Sequence, residues 1–262
     1  MADEPGSGSD RKCALVTGAS KGVGRGIAVG LAKAGWSVGV NYRRDEAGAG
    51  ETADSIRSAG GTAWIVQGDV GISAEVRRMF EKFLDSAGRI DLLVNNAGVQ
   101  TWSPLLSLPE ADWDRTIRTN LKGTFLCTQQ AALRMKECDG GVVINIGSGA
   151  NKAPFPNLVD YCASKGGIET LTVVAAVELG PLGIRVNCVA PGCIEIERTR
   201  LEDPDYAGTW GSLTPLRRVG RVEDVAEAVV FLASDAGSFV TGQTLYVDGG
   251  LWSQIPWPYE KK

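Results

Sequence analysis

The 262-residue sequence contains no histidine. That absence removes the serine–histidine–aspartate and cysteine–histidine triads, imidazole bases and almost every catalytic zinc site. Acid–base chemistry falls to tyrosine, lysine, cysteine or a carboxylate, and no metal is expected. Positive charge is not in surplus either. With 27 Lys+Arg against 31 Asp+Glu the net charge is −4, so nucleic acid is not an expected partner. No apolar run approaches the ~20 residues that span a bilayer. The opening MADEPGSGSD has no basic-then-apolar export signal, which predicts a cytoplasmic protein with no membrane partner. The six cysteines (Cys13, Cys127, Cys138, Cys162, Cys188, Cys193) form no CxxC pair and read as reduced thiols.

What the chain does have is rhythm. Seven short apolar runs stand in order: CALVT, SVGVNY, TAWIVQ, IDLLVN, GVVINIG, GIRVNCVA and TLYV. Between them apolar residues recur at three- and four-residue spacing, as in Ile27, Leu31 and Ala34, or Val225, Val229 and Leu232. Strands apolar on both faces belong in a parallel sheet covered by helices. The alternation predicts an α/β fold: a single-domain Rossmann-type doubly wound parallel sheet of about seven strands, with helices on both faces. A disordered tail is expected over residues 1–10 and one domain over 11–262. Two segments break the rhythm. Residues about 193–215 are acidic, hold two prolines and show no clean period, which predicts a substrate loop. The tail LWSQIPWPYEKK is aromatic and proline-rich.

Directly after the first strand stands TGASKGVGRG, running into a helix. Gly18, Gly22 and Gly24 permit a tight turn and let backbone amides approach a pyrophosphate at the helix N-terminus, with Ser20, Lys21 and Val23 beside them. The spacing is G-x3-G-x-G, and its place between first strand and first helix is what points to phosphate. The second strand ends VNYRRDE. NAD-preferring sites carry an acidic residue near here. This chain offers Asn41 and Tyr42, then Arg43 and Arg44, with Lys21 in the glycine loop and no carboxylate before Asp45. Those cations suit a ribose 2′-phosphate and predict NADP, with NAD use left open.

YCASKGG places Tyr161 and Lys165 four residues apart at the start of a predicted helix, on one face. A buried ammonium beside a tyrosine stabilises the phenolate over the phenol, whose ordinary pKa is about 10. Such a tyrosine gives a proton to a carbonyl oxygen or takes one from an alcohol. Ser148 follows VVINIG at the strand end where ligands bind in such sheets. Asn120, in IRTNLKG, lies inside a helical stretch, where a polar amide needs a partner or a task. NNAG, from Asn95 to Gly98, ends the fourth strand at the same edge.

These motifs occur in order with GDV at Gly68 to Val70, RVNCVAPG and the terminal VDGG. From about Lys12 to Gly250 the chain resembles the single-domain short-chain dehydrogenase/reductase family. The resemblance implies that Tyr161 is the general acid in reduction and the base in oxidation. Lys165 would assist it and bind the nicotinamide ribose. Ser148 would position the reacting oxygen, and Asn120 would hold a water linking Lys165 to solvent. Asp69 and Val70 would border the adenine, Asn96, Ala97 and Gly98 would line the cofactor cleft, and Pro191, Gly192 and Ile194 would lie near the nicotinamide. Family members place the NAD-reading acid at the position of Tyr42 and the NADP-reading arginine at Arg43. The family often continues PG with x-I-x-T, whereas PGCIEIE puts Ile196 at the threonine position, leaving Thr199 as the substitute. A homotetramer packed through helices near 110–137 and 160–179 is also implied.

The expected function is an NADP(H)-dependent oxidoreductase moving hydride between nicotinamide and a carbonyl or secondary alcohol. The subgroups it most resembles are 3-oxoacyl-carrier-protein reductases and bacterial glucose dehydrogenases, and both activities stay open. Gln100 and Ala150 stand where the glucose enzymes carry sugar-binding Glu and His. The candidate substrate wall is Gln100, Trp102, Ser148, Ala150, Phe155, Asn157, Tyr161, Cys193, Ile194 and Trp210, apolar enough to suggest a neutral small molecule. From outside the class, a non-catalytic NADP-binding sensor would lose the tyrosine or lysine, and a sugar-nucleotide epimerase would need a further domain.

Overall fold

The computed structural model describes residues 11–254. The expected disordered start and the last eight residues of the aromatic tail lie outside that range. Seven strands form one parallel sheet: β1 (Cys13–Val16), β2 (Ser37–Tyr42), β3 (Ala63–Gln67), β4 (Leu92–Asn95), β5 (Gly141–Ile146), β6 (Ile184–Pro191) and β7 (Thr244–Val247), in the order β3-β2-β1-β4-β5-β6-β7. Every pairing is parallel. The strands are apolar on both faces because both faces are covered. In β1, Ala14 and Val16 enter one core while Cys13 and Leu15 enter the other.

The helices are α1 (Gly22–Lys33), α2 (Glu46–Ser58), α3 (Ser73–Ala87), α4 (Glu110–Ile117), α5 (Gly123–Met135), α6 (Val159–Leu179), α7 (Glu197–Glu202), α8 (Tyr206–Leu213) and α9 (Val222–Ala233). One core is closed by α1, α2 and α9 through Ile27, Leu31, Ile56 and Val229. The other is closed by α3, α5 and α6 through Phe80, Phe83, Met135 and Ala176. Each of the Ile, Leu, Val, Phe and Met side chains among these contributes about 1.5–3 kcal/mol when fully buried. The chain leaves β1 toward β2 and β3 on one side, then crosses to β4 on the other. The crevice at the carboxyl ends of β1 and β4 is therefore the topological switch point, where doubly wound sheets bind ligands.

Two elements depart from the expected pattern. Residues 193–215 hold two short helices, α7 and α8, interrupted at Pro204. Asp203 is extended there (φ −143°, ψ 104°), as a residue before proline tends to be, and six- and eight-residue helices are too short to display a period. The long helix over Asn120 is also divided: Arg118–Lys122 forms one wide π-helical turn between α4 and α5. Such turns frequently mark functional positions.

Candidate active site

The glycine loop is fixed from both sides. Asn41, buried at the end of β2, accepts from the Gly18 amide at 3.0 Å and donates to the carbonyls of Val66 and Gly68 at 3.1 and 3.2 Å. From β4, the Asn96 amide donates to the carbonyls of Thr17 (2.9 Å) and Gly18 (3.0 Å), and Thr17 Oγ1 accepts from the backbone N–H of Asn96 and Ala97. Gly18 has φ +62°, and a Cβ at Gly24 would overlap the Asn96 amide and the Gly18 carbonyl. Arg25 clamps the Ser20 carbonyl from below at 2.6 Å. At the start of α1, Lys21 gives no side-chain cap and the first turn holds no acidic residue. The helix thus presents uncapped amides and a positive dipole end to the crevice, a site built for an anion.

Beyond β2 the cations are where the sequence puts them. Lys21, Arg43 and Arg44 are exposed. Arg43 Nη1 lies 3.7 Å from Asp69 Oδ2, and among the described residues neither Lys21 nor Arg44 pairs with a carboxylate. Asp45 follows as the N-cap of α2. Hydrogen bonds from the Gly48 amide, where it caps α2, and from the Ser20 hydroxyl hold its carboxyl below the usual range. Tyr42, Val70 and Ile194 have core side chains, so they offer a ligand only backbone. Val23 also packs on the core.

On the other side of the switch point α6 delivers the tyrosine–lysine pair. Lys165 is buried (4% exposed), with Nζ 5.5 Å from the centre of the Tyr161 ring and donating to the Ile146 carbonyl at 2.6 Å. An ammonium buried with a single protein acceptor is costly unless something completes its coordination. Ser148 lies just past the end of β5, its Oγ accepting from the Ala150 amide at 3.1 Å. Asn120, on the wide turn, is fully enclosed. Its amide accepts from Val99 N–H and donates to the Val99 carbonyl, both at 2.8 Å, and donates to Ser164 Oγ at 2.9 Å. Ser164 in turn donates to the Tyr161 carbonyl at 2.7 Å. Asn120 thereby reaches Tyr161 through Ser164, and no hydrogen bond joins it to Lys165. Asp160, wholly buried, accepts from Thr116 Oγ1 and from the Tyr161 amide, both at 2.7 Å, tying α4 to the first turn of α6.

Ser148 and Tyr161 open onto a cavity of about 520 Å³. Of the predicted wall, Gln100, Trp102, Ala150, Phe155, Cys193 and Trp210 line it, with Pro191 and Gly192. Asn157 and Ile194 do not. Asn157 is exposed in a left-handed turn (φ 66°), where its carbonyl accepts from Ser103 and the chain bends to bring Leu158 to the wall. Ile194 turns into the core, against Gly220. Thr199 lines the cavity, but its hydroxyl is engaged with the backbone of Ile196 at 2.9 Å as the start of α7.

Sequence reasoning missed Leu158, Arg198, Glu202, Asp203, Tyr206 and Trp252, all lining the cavity. Tyr206 and Cys193 are neighbours on the wall, and burial pushes the Cys193 thiol up to about 11 and the Tyr206 phenol up as well. Trp252 is held by the VDGG motif: Asp248 accepts from Gly250 N–H and Trp252 N–H at 2.9 Å each. The motif was visible in the sequence; what it carries was not.

Comparison with known proteins agrees with this architecture. A family model described as Enoyl-(Acyl carrier protein) reductase matches residues 18–252. The chain is 39% identical over 241 residues to the 3-oxoacyl-(acyl-carrier-protein) reductase FabG of Staphylococcus epidermidis, covering 92% of this chain and 99% of that one. It is 41% identical over 243 residues to 3beta-hydroxysteroid dehydrogenase 1 of Eggerthella lenta, covering 92% and 93%. Among solved structures it is similar to a gluconate 5-dehydrogenase from Burkholderia cenocepacia in complex with NADP and tartrate, with TM-score 0.87, 38% identity, and 93% and 96% of the chains covered.

Proposed function

The chain belongs to the short-chain dehydrogenase/reductase family, which makes it an oxidoreductase of CH–OH and carbonyl groups, and from that premise we propose an NADP(H)-dependent enzyme with Tyr161 as its general acid and base. The observation that carries this reading is the buried Lys165 ammonium beside the Tyr161 ring, with Ser148 on the same cavity wall. The uncapped amides of α1 and the clamped glycine loop fit a dinucleotide pyrophosphate, and Lys21, Arg43 and Arg44 fit a 2′-phosphate. When bound, the nicotinamide dinucleotide supplies or accepts the hydride.

The remaining work falls to the chain. Ser148 Oγ donates to the substrate oxygen and holds it against Tyr161. In the reducing direction the Tyr161 hydroxyl passes its proton to that oxygen; in the oxidising direction the phenolate takes it back. The Lys165 ammonium stabilises the phenolate, and its spare N–H groups suit the hydroxyls of a ribose. Asn120 spends its amide on Val99 and Ser164, so it serves first to position the β4 loop and Tyr161. Any water it holds beside Lys165 relies on its remaining acceptor capacity.

The relatives' names span thioester, steroid and polyol chemistry, and the sugar reading has least support here. Ala150 offers no polar group, and Gln100 is engaged with its neighbours. The exposed apolar side chains of α5 and α6, including Phe125, Leu133, Val173 and Val177, support the implied tetramer, which light scattering checks directly.

The test is NADPH oxidation, followed by nicotinamide absorbance, over ketones, aldehydes, acetoacetyl thioesters and, in reverse with NADP, glucose. Positioned acid catalysis contributes about 10²–10⁴-fold, so Tyr161→Phe is expected to lose that factor while still binding NADPH. A variant that retains the wild-type rate refutes the mechanism.

A further inference from the structure

Besides Tyr161, five aromatic side chains line the cavity: Trp102, Phe155, Tyr206, Trp210 and Trp252. They come from distant parts of the chain and meet in defined geometry. Phe155 is the hub, edge-on to Trp210 (centroids 5.6 Å, 74°) and to Trp252 (5.5 Å, 85°). Trp252 is seated rather than draped. A Cβ at Gly149 would fall inside its indole, and Asp248 fixes its backbone. Tyr206 extends the wall beside Trp210, at 6.3 Å.

The polar groups of the same wall are turned on one another. The Gln100 amide oxygen accepts from Trp102 Nε1 and Arg198 Nη1 at 2.9 Å each, in the orientation those two donors require. Arg198 also faces Glu202 at 3.7 Å. The Tyr206 phenol and the Cys193 thiol face each other's electrostatic field on the same wall, and burial opposes ionisation of both. The Trp252 indole N–H is buried without a partner, and Ser148 and Tyr161 are left to grip the substrate oxygen. Glu202 and Asp203 against Arg198 leave the lining with one net negative charge, which opposes an anion.

We propose that this cavity is an aromatic cage that selects an uncharged, ring-bearing carbonyl compound, or its alcohol, over acyclic and anionic ones. The inference rests on the oxidoreductase reading above and names its substrate class. Edge-to-face and offset ring pairs contribute about 0.5–1.5 kcal/mol beyond buried area, or roughly two- to twelvefold for each pair. An acyclic chain of equal carbon count buries similar area and gains none of this. The cavity volume of about 520 Å³ lies within the 300–1,000 Å³ or so of small-molecule pockets.

The experiment compares 2-tetralone with 2-decanone, which has the same number of carbons, and with the 6-carboxylate of 2-tetralone. Both kcat/KM with NADPH and calorimetric Kd are measured on wild type, Trp252→Leu and Trp210→Leu, with NADPH binding as the check of folding. Wild type is expected to prefer 2-tetralone by about tenfold or more in both quantities. Each leucine variant reduces that preference about three- to tenfold, and the carboxylate is the weakest ligand of the set. Equal or reversed preference, a preference unmoved in both variants, or tightest binding of the carboxylate overturns the cage. Turnover with 2-decanone preferred discards the cage and keeps the oxidoreductase. Ring-selective binding without turnover of any carbonyl keeps the cage and discards the reductase.

Discussion

Arg43→Ala tests the cofactor assignment at its most exposed point. The chain leaves the core at Tyr42, which is buried, and Arg43 is the first side chain free to face the crevice. Its only charge partner among the described residues is Asp69, at 3.7 Å and with the guanidinium 39% exposed. Exposed pairs of that kind are worth about 0.2–1 kcal/mol, so the midpoint of thermal unfolding should scarcely move. A hydrogen bond from the guanidinium to a phosphate belongs to a stronger class, about 1.5–3 kcal/mol, which raises Kd roughly 10- to 150-fold. Removing Arg43 also leaves the Asp69 carboxylate unneutralised beside the crevice, and that repels the same phosphate. Both effects act on NADPH, while NADH has no 2′-phosphate to lose. The expected result is therefore a fall in the ratio of NADPH to NADH affinity of at least about tenfold, read from cofactor fluorescence titrations. Ionic strength supplies a second signature: screening sets in over about 8 Å at physiological salt, so the wild-type advantage of NADPH should shrink as salt is added. Equal weakening of both cofactors, or no change for NADPH, refutes the 2′-phosphate reading.

Asn41→Ala is the contrasting case. It removes the Gly18 clamp and the side-chain donor to the Val66 and Gly68 carbonyls, so unfolding stability should fall by about 1–3 kcal/mol and both cofactors should weaken together. Thr116→Val strips the buried Asp160 carboxylate of one of its two donors; kcat should fall more than the KM for NADPH, and an unchanged kcat denies Asp160 a part in placing Tyr161. Cys193, with its thiol pushed up to about 11, should react with iodoacetamide at pH 8 more than about 100-fold slower than the exposed Cys138, because the thiolate is the nucleophile. Because the folded thiol resists ionisation, the rate at Cys193 should climb as pH rises toward 11, and Cys193→Ser marks its peptide.

The fold was legible because both of its signals are local. Apolar runs such as ALV and LLV announce strands buried on both faces, and spacings such as Ile27–Leu31 announce the helices that cover them. The glycine loop was legible for a related reason: its residues act through backbone, so their identity alone states the geometry. Asn41 shows where that logic stops. In the sequence it is a polar residue ending a strand beside two arginines, and it read as part of the ribose region. In the fold it faces inward and holds the loop before it, a role set by pairing across β2 and β3. The wide turn at Asn120 was hidden for the same reason. Its sequence is compatible with an unbroken helix, and only the clamp on Val99 distinguishes it.

The substrate wall depends on contacts between segments that share no local pattern. Phe155 precedes α6, Trp210 lies in α8 and Trp252 follows β7, and nothing in LWSQ announces that its tryptophan will rest on Gly149. The dependence runs the other way as well. Gly149 follows the serine proposed to hold the substrate oxygen, and any side chain there displaces the Trp252 indole. Gly149→Ala therefore alters the shape of the cavity without touching Ser148 or Tyr161. If Trp252 is part of the cage, this substitution should reproduce the loss of ring selectivity seen in Trp252→Leu, and the two together should lose little more than either alone, since contacts through a shared group are not additive. Additive losses would mean that Gly149 matters for the serine turn and that the indole above it is only packing.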